Sequence, residues 1–109
     1  MSIWQRSRDG DEAMSLPAQV EIYTWRFCPF CIRARHVLRT HGADYREYRI
    51  DGDEPARARM AERAGGHWTV PQIFINERHV GGCDELVALA RSGALDARLH
   101  EAPADVASS

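Results

Sequence analysis

The chain has 109 residues, of which 44% are hydrophobic, so it can form one small domain with a single modest core. Its formal net charge of -2 argues against general nucleic-acid binding and against an anionic membrane surface as a partner. The three cysteines cannot all pair within the chain, and so sparse a set favours a reducing cytoplasm over secretion. No run is long and apolar enough to cross a membrane, and the start of the chain lacks the apolar region of a signal peptide.

Both ends of the chain lack a hydrophobic period. We therefore predict a flexible N-terminal tail over residues 1–18 and a flexible C-terminal tail over residues 102–109. Met14 is an alternative start, and the domain is expected over residues 19–101.

The first half of the domain predicts a strand, a helix and a second strand. Residues 20–25 and 45–50 are rich in the β-branched and aromatic residues that are typical of strands. Residues 29–41 form the helix, which Gly42 ends. Its predicted buried face consists of Ala34, Val37, Leu38 and His41, with His41 also suited to the helix end. A strand, a crossover helix and a strand predict a parallel pair with a right-handed connection.

The second half predicts a helix, a β-hairpin and two further helices. Acidic residues and a proline in residues 51–55 start the helix, and residues 64–66 stop it. Its thin apolar side is predicted to be Ala58, Met60, Ala61 and Ala64, and its solvated face Arg57, Arg59, Glu62 and Arg63. Residues 72–75 and 79–80 form the hairpin around a turn at residues 76–78. Helices over residues 83–91 and 94–100 complete the domain.

The reactive centre is predicted at Cys28-Pro29-Phe30-Cys31, where the first strand passes into the first helix. Proline is favoured at the first helical position, so Cys28 becomes the N-cap, close to free N–H groups and the positive end of the helix dipole. Such a position favours the thiolate, which is the nucleophile, and Arg26 and Arg33 flank it. Cys31 follows one turn later on the same face, close enough to form a disulfide with Cys28.

Two other interpretations of the cysteine pair are open. A structural disulfide is one, although the rest of the chain does not resemble a disulfide scaffold. Zinc is the other, since His36 and His41 follow, but their spacing is wrong for a finger and there is no second Cys-x-x-Cys. A Cys-x-x-Cys between strand and helix in a β-α-β pattern favours redox chemistry.

Four motifs in order resemble the glutaredoxins of the thioredoxin-like superfamily, close to the bacterial dithiol class, over roughly residues 20–99. They are Tyr23-Thr24, Cys28-Pro29-Phe30-Cys31, residues 69–75 (Thr-Val-Pro-Gln-Ile-Phe-Ile) and residues 81–86 (Gly-Gly-Cys-Asp-Glu-Leu). The resemblance implies an α/β fold, with a four-stranded mixed sheet flanked by helices on both faces. It also implies a cis peptide bond between Val70 and Pro71.

The same resemblance implies a glutathione-dependent thiol-disulfide oxidoreductase, with Cys28 and Cys31 as its catalytic residues and redox-active disulfide. Glutathione is then a co-substrate, and no metal is expected. The implied glutathione-binding residues are Arg26, Phe30, Thr69, Val70, Pro71, Cys83 and Asp84.

Several of these positions have two interpretations. Asp84 either binds the glutathione ammonium or is a plain helix-start acid, and Cys83 is either a second redox-sensitive thiol or a small half-buried residue. Gln72 either makes a polar contact or faces solvent. Phe30 replaces the more usual tyrosine, and Trp25 stands where many relatives have a lysine, a role that Arg26 could take.

The predicted partners are glutathione and proteins that carry a glutathione mixed disulfide or a disulfide, and the chain is expected to be a cytoplasmic monomer. One alternative is a module in which two chains share a 2Fe–2S cluster through Cys28 and glutathione, which Pro29 disfavours. Another is a thioredoxin-like reductase fed by a flavoenzyme, but the Trp-Cys-Gly-Pro-Cys typical of that group is absent.

Overall fold

The computed structural model describes residues 18–100. The predicted tails and Met14 lie outside the described residues. The exception is Ala18, the last residue of the predicted N-terminal tail. This residue is buried, and its N–H donates to the Leu99 carbonyl at 3.2 Å. Ala18 therefore belongs to the fold and not to a flexible tail. The domain limits at residues 19 and 101 otherwise stay a prediction.

The described residues form four strands and four helices. They are β1 (Val20–Thr24), α1 (Pro29–Thr40), β2 (Tyr45–Arg49), α2 (Glu54–Arg63), β3 (Gln72–Ile75), β4 (Arg78–Gly81), α3 (Cys83–Arg91) and α4 (Ala94–Leu99). The strands form one sheet in the order β2-β1-β3-β4, with β1 parallel to β2 and β3 antiparallel to both its neighbours. The predicted four-stranded mixed sheet is confirmed. Within residues 18–100, no helix is long and apolar enough to span a bilayer.

The hairpin between β3 and β4 turns on two residues with left-handed backbone, Asn76 (φ 51°) and Glu77 (φ 67°). Such two-residue turns match the twist of the flanking strands. Arg78, predicted to lie in the turn, instead pairs with Ile75 in the sheet.

One face of the sheet is covered by α1, α3 and α4 through an aliphatic core. β1 contributes Val20 and Ile22, because alternate side chains of a strand point to the same face. The buried residues of this cluster are Ala18, Val20, Ile22, Ala34, Leu38, Ile73, Ile75, Leu86 and Leu95. On α1 the predicted residues Ala34 and Leu38 are buried, and Val37 is partly buried against them. His41 is a helix-end residue, with its Nδ1 2.8 Å from Asp96 Oδ1.

The other face is covered by α2 through a core that contains aromatic residues. Its buried residues are Tyr23, Ile50, Ala56, Met60, Ala64 and Phe74. The prediction for Ala58 was wrong, since it is exposed and Ala56 is buried instead. Asp53 is the N-cap and accepts a hydrogen bond from the Ala56 N–H at 3.1 Å. With α2 starting there, positions 56, 60 and 64 point at the sheet, one turn apart.

Arg63 is exposed, as predicted for the solvated face, but its side chain also makes specific contacts. Its guanidinium donates to Glu21 Oε1 and to the Tyr23 hydroxyl, both at 2.8 Å, and lies 4.2 Å above the centre of the Phe74 ring. The long side chain leaves the exposed side of α2 and covers the edge of the aromatic core.

Candidate active site

Cys28 and Cys31 occupy the junction of β1 and α1 as predicted. Cys28 is the N-cap of α1, and Pro29 is its first residue. The Cys31 N–H donates to Cys28 Sγ at 3.2 Å, so the sulfur takes the capping role usually filled by a side-chain oxygen. Cys28 is 8% exposed, whereas Cys31 is 0% exposed. The site opens to solvent at the first cysteine only.

The environment of Cys31 separates the two thiols chemically. Burial raises the pKa of the Cys31 thiol, and the hydrogen bond with Cys28 and the charge of Cys28 raise it further, to about 12. The Trp25 backbone and the charge of Arg35 act in the opposite direction. Arg35 itself is held by Glu47, whose Oε2 lies 2.9 Å from its Nη1. Cys31 is therefore a protonated thiol at neutral pH, suited to donate a hydrogen bond to a Cys28 thiolate.

An exposed rim of arginine and aromatic side chains surrounds the first cysteine. Arg26 and Arg33 are exposed, and neither takes part in the ion pairs found within residues 18–100. Phe30 is 58% exposed, and Phe27 is still more exposed. The rim presents apolar surface and unneutralised positive charge beside the nucleophile.

The loop before β3 forms one wall of the site. The Val70–Pro71 peptide bond is cis, as the resemblance implies. Thr69 is exposed, Val70 is half-buried and Pro71 is buried. Within residues 18–100, the backbone N–H and carbonyl of Val70 form no hydrogen bond. They are available to an extended peptide, which can pair with free backbone groups as a strand would.

Two glycines join β4 to α3, and each has a different reason to be glycine. Gly81 has a φ of 125°, and a Cβ there would lie 2.8 Å from Glu85 Cγ. A Cβ at Gly82 would lie 3.3 Å from the Pro71 carbonyl oxygen, so Gly82 permits a close approach of the two chain segments.

The N-terminus of α3 forms the other wall. Cys83 and Asp84 occupy its first turn, with Cys83 buried and Asp84 exposed. Burial raises the pKa of the Cys83 thiol, and the charges of Asp84, Cys28 and Glu85 add to this while Arg33 opposes it. The interaction with Cys28 places Cys83 near the nucleophile, yet its thiol is protonated at neutral pH. This favours the interpretation of Cys83 as a small buried residue.

Arg57 is a site residue that the sequence analysis missed. Its guanidinium lies 4.9 Å from the centre of the Trp25 ring and 5.9 Å from that of Trp68, and its Nε donates to the Trp68 carbonyl at 3.0 Å. Trp25 and Val70 both pack against the aromatic core below. The Arg57 guanidinium therefore places a positive charge next to the loop before β3, although Trp25 stands where many relatives have a lysine.

Gln72 is buried, and its side chain bonds to Thr69 and His79, so the solvent-facing interpretation was wrong. Within the described part of the chain, no group of three or more His, Cys, Asp or Glu side chains could hold a metal ion.

Comparisons with known proteins agree with this geometry. The family model described as Glutaredoxin matches residues 20–80. A probable glutaredoxin of Synechocystis sp. is 52% identical over 87 residues, which make up 80% of this chain and 99% of that protein. Glutaredoxin 3 of Escherichia coli K12 is 49% identical over 79 residues, 72% of this chain and 94% of that protein. The solution structure of glutaredoxin from Brucella melitensis matches with a TM-score of 0.68 and 45% identity, covering 77% of this chain and 90% of that one.

Proposed function

Because the chain belongs to the glutaredoxin family, whose members are glutathione-dependent thiol-disulfide oxidoreductases, we propose that it reduces two kinds of substrate. These are protein–glutathione mixed disulfides and protein disulfides. The observation that carries the proposal is the hydrogen bond from the Cys31 N–H to Cys28 Sγ at the start of α1. The thiolate is the form of a cysteine that attacks disulfides, and a backbone N–H at a helix N-terminus is a donor to such an anion.

With a mixed disulfide, the Cys28 thiolate attacks the glutathione sulfur. The bond between the protein sulfur and the glutathione sulfur breaks, and the protein thiolate leaves and takes a proton from solvent. A bond between Cys28 and glutathione forms. The thiolate of a second glutathione then attacks the bound glutathione sulfur, which releases oxidised glutathione and restores the Cys28 thiolate.

With a protein disulfide, Cys28 attacks one sulfur and the other leaves as a thiol. Cys31 then loses its proton and attacks Cys28 Sγ, which frees the second protein thiol and forms the Cys28–Cys31 disulfide. Two glutathione molecules reduce that disulfide. Burial, the largest cause of the raised pKa of Cys31, opposes this deprotonation, whereas the contribution from the charge of Cys28 is lost once Cys28 is bonded to the protein sulfur.

We propose that glutathione lies between the two walls of the site. Its cysteine backbone would pair with the free N–H and carbonyl of Val70. Its γ-glutamyl carboxylate would meet the N–H groups that open α3, since the first N–H groups of a helix have no partner within it. The proposed glutathione-binding residues are Arg26, Phe30, Thr69, Val70, Pro71, Cys83 and Asp84, and we add Arg57 for the glycine carboxylate.

Two cysteine variants test the proposal, assayed with a glutathionylated peptide and with a disulfide-containing protein, both coupled to glutathione reductase. Cys31→Ser should keep turnover of the glutathionylated peptide and lose reduction of the protein disulfide. Cys28→Ser should lose both, with its fold verified by circular dichroism. If Cys28→Ser kept turnover of the peptide, the nucleophile would be misassigned.

The same preparations decide between the proposal and its two alternatives. A coloured protein with the charge-transfer absorption of an iron–sulfur cluster would point to a cluster module. Turnover with a flavoenzyme reductase, and none with glutathione, would point to a thioredoxin-like reductase. A domain that ends at residue 101, a monomeric state and a cytoplasmic location remain parts of the proposal, and gel filtration tests the monomeric state.

A further inference from the structure

A chain of side-chain hydrogen bonds runs from β4 to the Thr69–Val70 wall. Gln72 is only 4% exposed, an unusual position for a glutamine. Its Nε2 donates to the Thr69 carbonyl at 3.0 Å and lies 3.4 Å from Thr69 Oγ1. Its Oε1 lies 2.6 Å from His79 Nε2. Both ends of the buried amide are therefore satisfied, one by the wall of the site and the other by a histidine.

The direction of this chain follows from the chemistry of its members. Because a carbonyl oxygen only accepts, the Gln72 group facing Thr69 must be the NH₂, and its oxygen faces His79. His79 Nε2 must then carry the proton and donate. The chain runs from His79 to Gln72 to Thr69, and it fixes the amide of Gln72 in one orientation.

The surroundings of His79 keep it in place. Its ring lies 5.1 Å from the Phe74 ring and 6.1 Å from the His67 ring. Burial lowers the pKa of His79 and the nearby His67 lowers it further, while Glu85 opposes them. His79 is therefore mainly neutral at pH 7, as the tautomer with the proton on Nε2. Protonation adds its proton at Nδ1, so the donor to Gln72 is present in both forms.

The anchored carbonyl orients the group that meets the substrate. The Thr69 carbonyl and the Val70 N–H belong to one planar peptide unit, in which the two point in opposite directions. Holding the carbonyl towards Gln72 therefore directs the Val70 N–H away from it, where it has no partner within residues 18–100.

We propose that His79 is a positioning residue, which acts through Gln72 on the Thr69–Val70 peptide and so prepares the wall that binds the glutathionyl part of a substrate. This inference rests on the proposed function. His79 touches no substrate itself. Without its donor, the buried Gln72 oxygen lacks a partner, and the amide can rotate away from Thr69.

His79→Phe removes the donor and keeps a ring beside Phe74. We expect KM for a glutathionylated peptide to rise about 3- to 10-fold, the effect of one lost hydrogen bond, with kcat unchanged. His79→Gln should restore KM, because its amide can donate to Gln72. Gln72→Leu should raise KM as well, and adding His79→Phe to it should have no further effect. Arg78→Gln, an exposed change on the same strand, is the matched control and should leave KM unchanged.

A second measurement needs no substrate. In the free protein, nitrogen chemical shifts should show His79 with its proton on Nε2, and the side-chain NH₂ of Gln72 should exchange slowly with solvent. In His79→Phe that exchange should be faster. An Nδ1 proton on neutral His79, or an unchanged exchange rate, contradicts the chain of hydrogen bonds.

The outcomes separate this inference from the proposed function. If the wild type turns over the peptide and His79→Phe has the same KM, the proposed role of His79 is wrong, whereas the proposed oxidoreductase activity stands. A fall in kcat with KM unchanged also overturns that role. No turnover by the wild type with any glutathionylated peptide overturns the proposed function, and the role of His79 with it.

Discussion

The two faces of the sheet are built from different chemistry. The face under α1, α3 and α4 is aliphatic, and among residues 18–100 its buried cluster contains no aromatic or charged residue. The face under α2 is built around Tyr23 and Phe74, and Arg63 closes its edge. Trp25 and Val70 pack against this second face, so the wall of the active site rests on the aromatic core. The aliphatic face holds α1 and α3, whose N-termini carry Cys28 and Cys83, and the aromatic face supports the loop that contains Val70.

The largest expected effect is on the aliphatic face. Leu38→Ala should lower the free energy of unfolding by about 2–5 kcal/mol, because it removes a fully buried side chain and leaves a cavity. Urea denaturation followed by circular dichroism measures it. Ile32→Ala on the same helix is the matched control, since Ile32 is 53% exposed, and should change stability by less than about 0.5 kcal/mol. Equal losses in the two variants would contradict the described burial of α1.

On the aromatic face, Arg63→Ala should lower the free energy of unfolding by about 1–2 kcal/mol. Glu21 and the Tyr23 hydroxyl each lose the hydrogen bond from Arg63, and the edge of the Phe74 ring is uncovered. Arg63→Lys should recover only part of the loss, since an ammonium cannot bond both partners as a planar guanidinium does. The measurement is again urea denaturation at pH 7. An unchanged free energy of unfolding in Arg63→Ala would mean that the contacts of this arginine contribute nothing to stability.

Lowering the pH should reduce the difference in the free energy of unfolding between the wild type and Arg63→Ala. Burial by itself raises the pKa of Glu21, but hydrogen bonds from Arg63 and Tyr48 and the charges of Arg63 and Arg46 outweigh it, so the pKa lies below its ordinary value of 4.5. A lowered pKa contributes stability that is present above pH 4.5 and is lost as the pH falls through the folded-state value. Stability curves from pH 7 to pH 3 should therefore converge for the two proteins. Parallel curves would mean that Glu21 gains nothing from Arg63.

The smallest effect on stability is expected where the aromatic face meets the site. Arg57→Ala should change the free energy of unfolding by less than about 0.5 kcal/mol and raise KM for a glutathionylated peptide about 2- to 5-fold, because one charge-assisted contact is lost. Steady-state kinetics beside Arg59→Ala, an exposed arginine of the same helix, measures the difference. The same KM in both variants would remove Arg57 from the proposed glutathione site.

Local patterns were sufficient for much of the fold. The strand, Cys28-Pro29 cap and helix at the start of the domain follow from residues that are neighbours in sequence, and the structure has them within a residue or two. The burial of Ala58 was predicted wrongly, because a helix with few apolar residues has no clear hydrophobic face. Packing of α2 against the aromatic core decides which of its residues point inwards.

By itself the sequence determined the order of elements, the reactive cysteine pair and its helix start, because hydrophobic period, capping and turn preferences act over a few residues. The tertiary structure alone decided where the long polar side chains go. Arg57 and Arg63 were both predicted on the solvated face of α2. The Arg57 guanidinium lies over Trp25, whereas that of Arg63 reaches Glu21, 42 positions away in the chain. Gln72 and His79 meet only because β3 and β4 pair, with His79 opposite Phe74, two residues from Gln72 on the same face of the sheet. A long side chain can bond any acceptor that packing brings within reach, and packing depends on contacts between residues far apart in sequence.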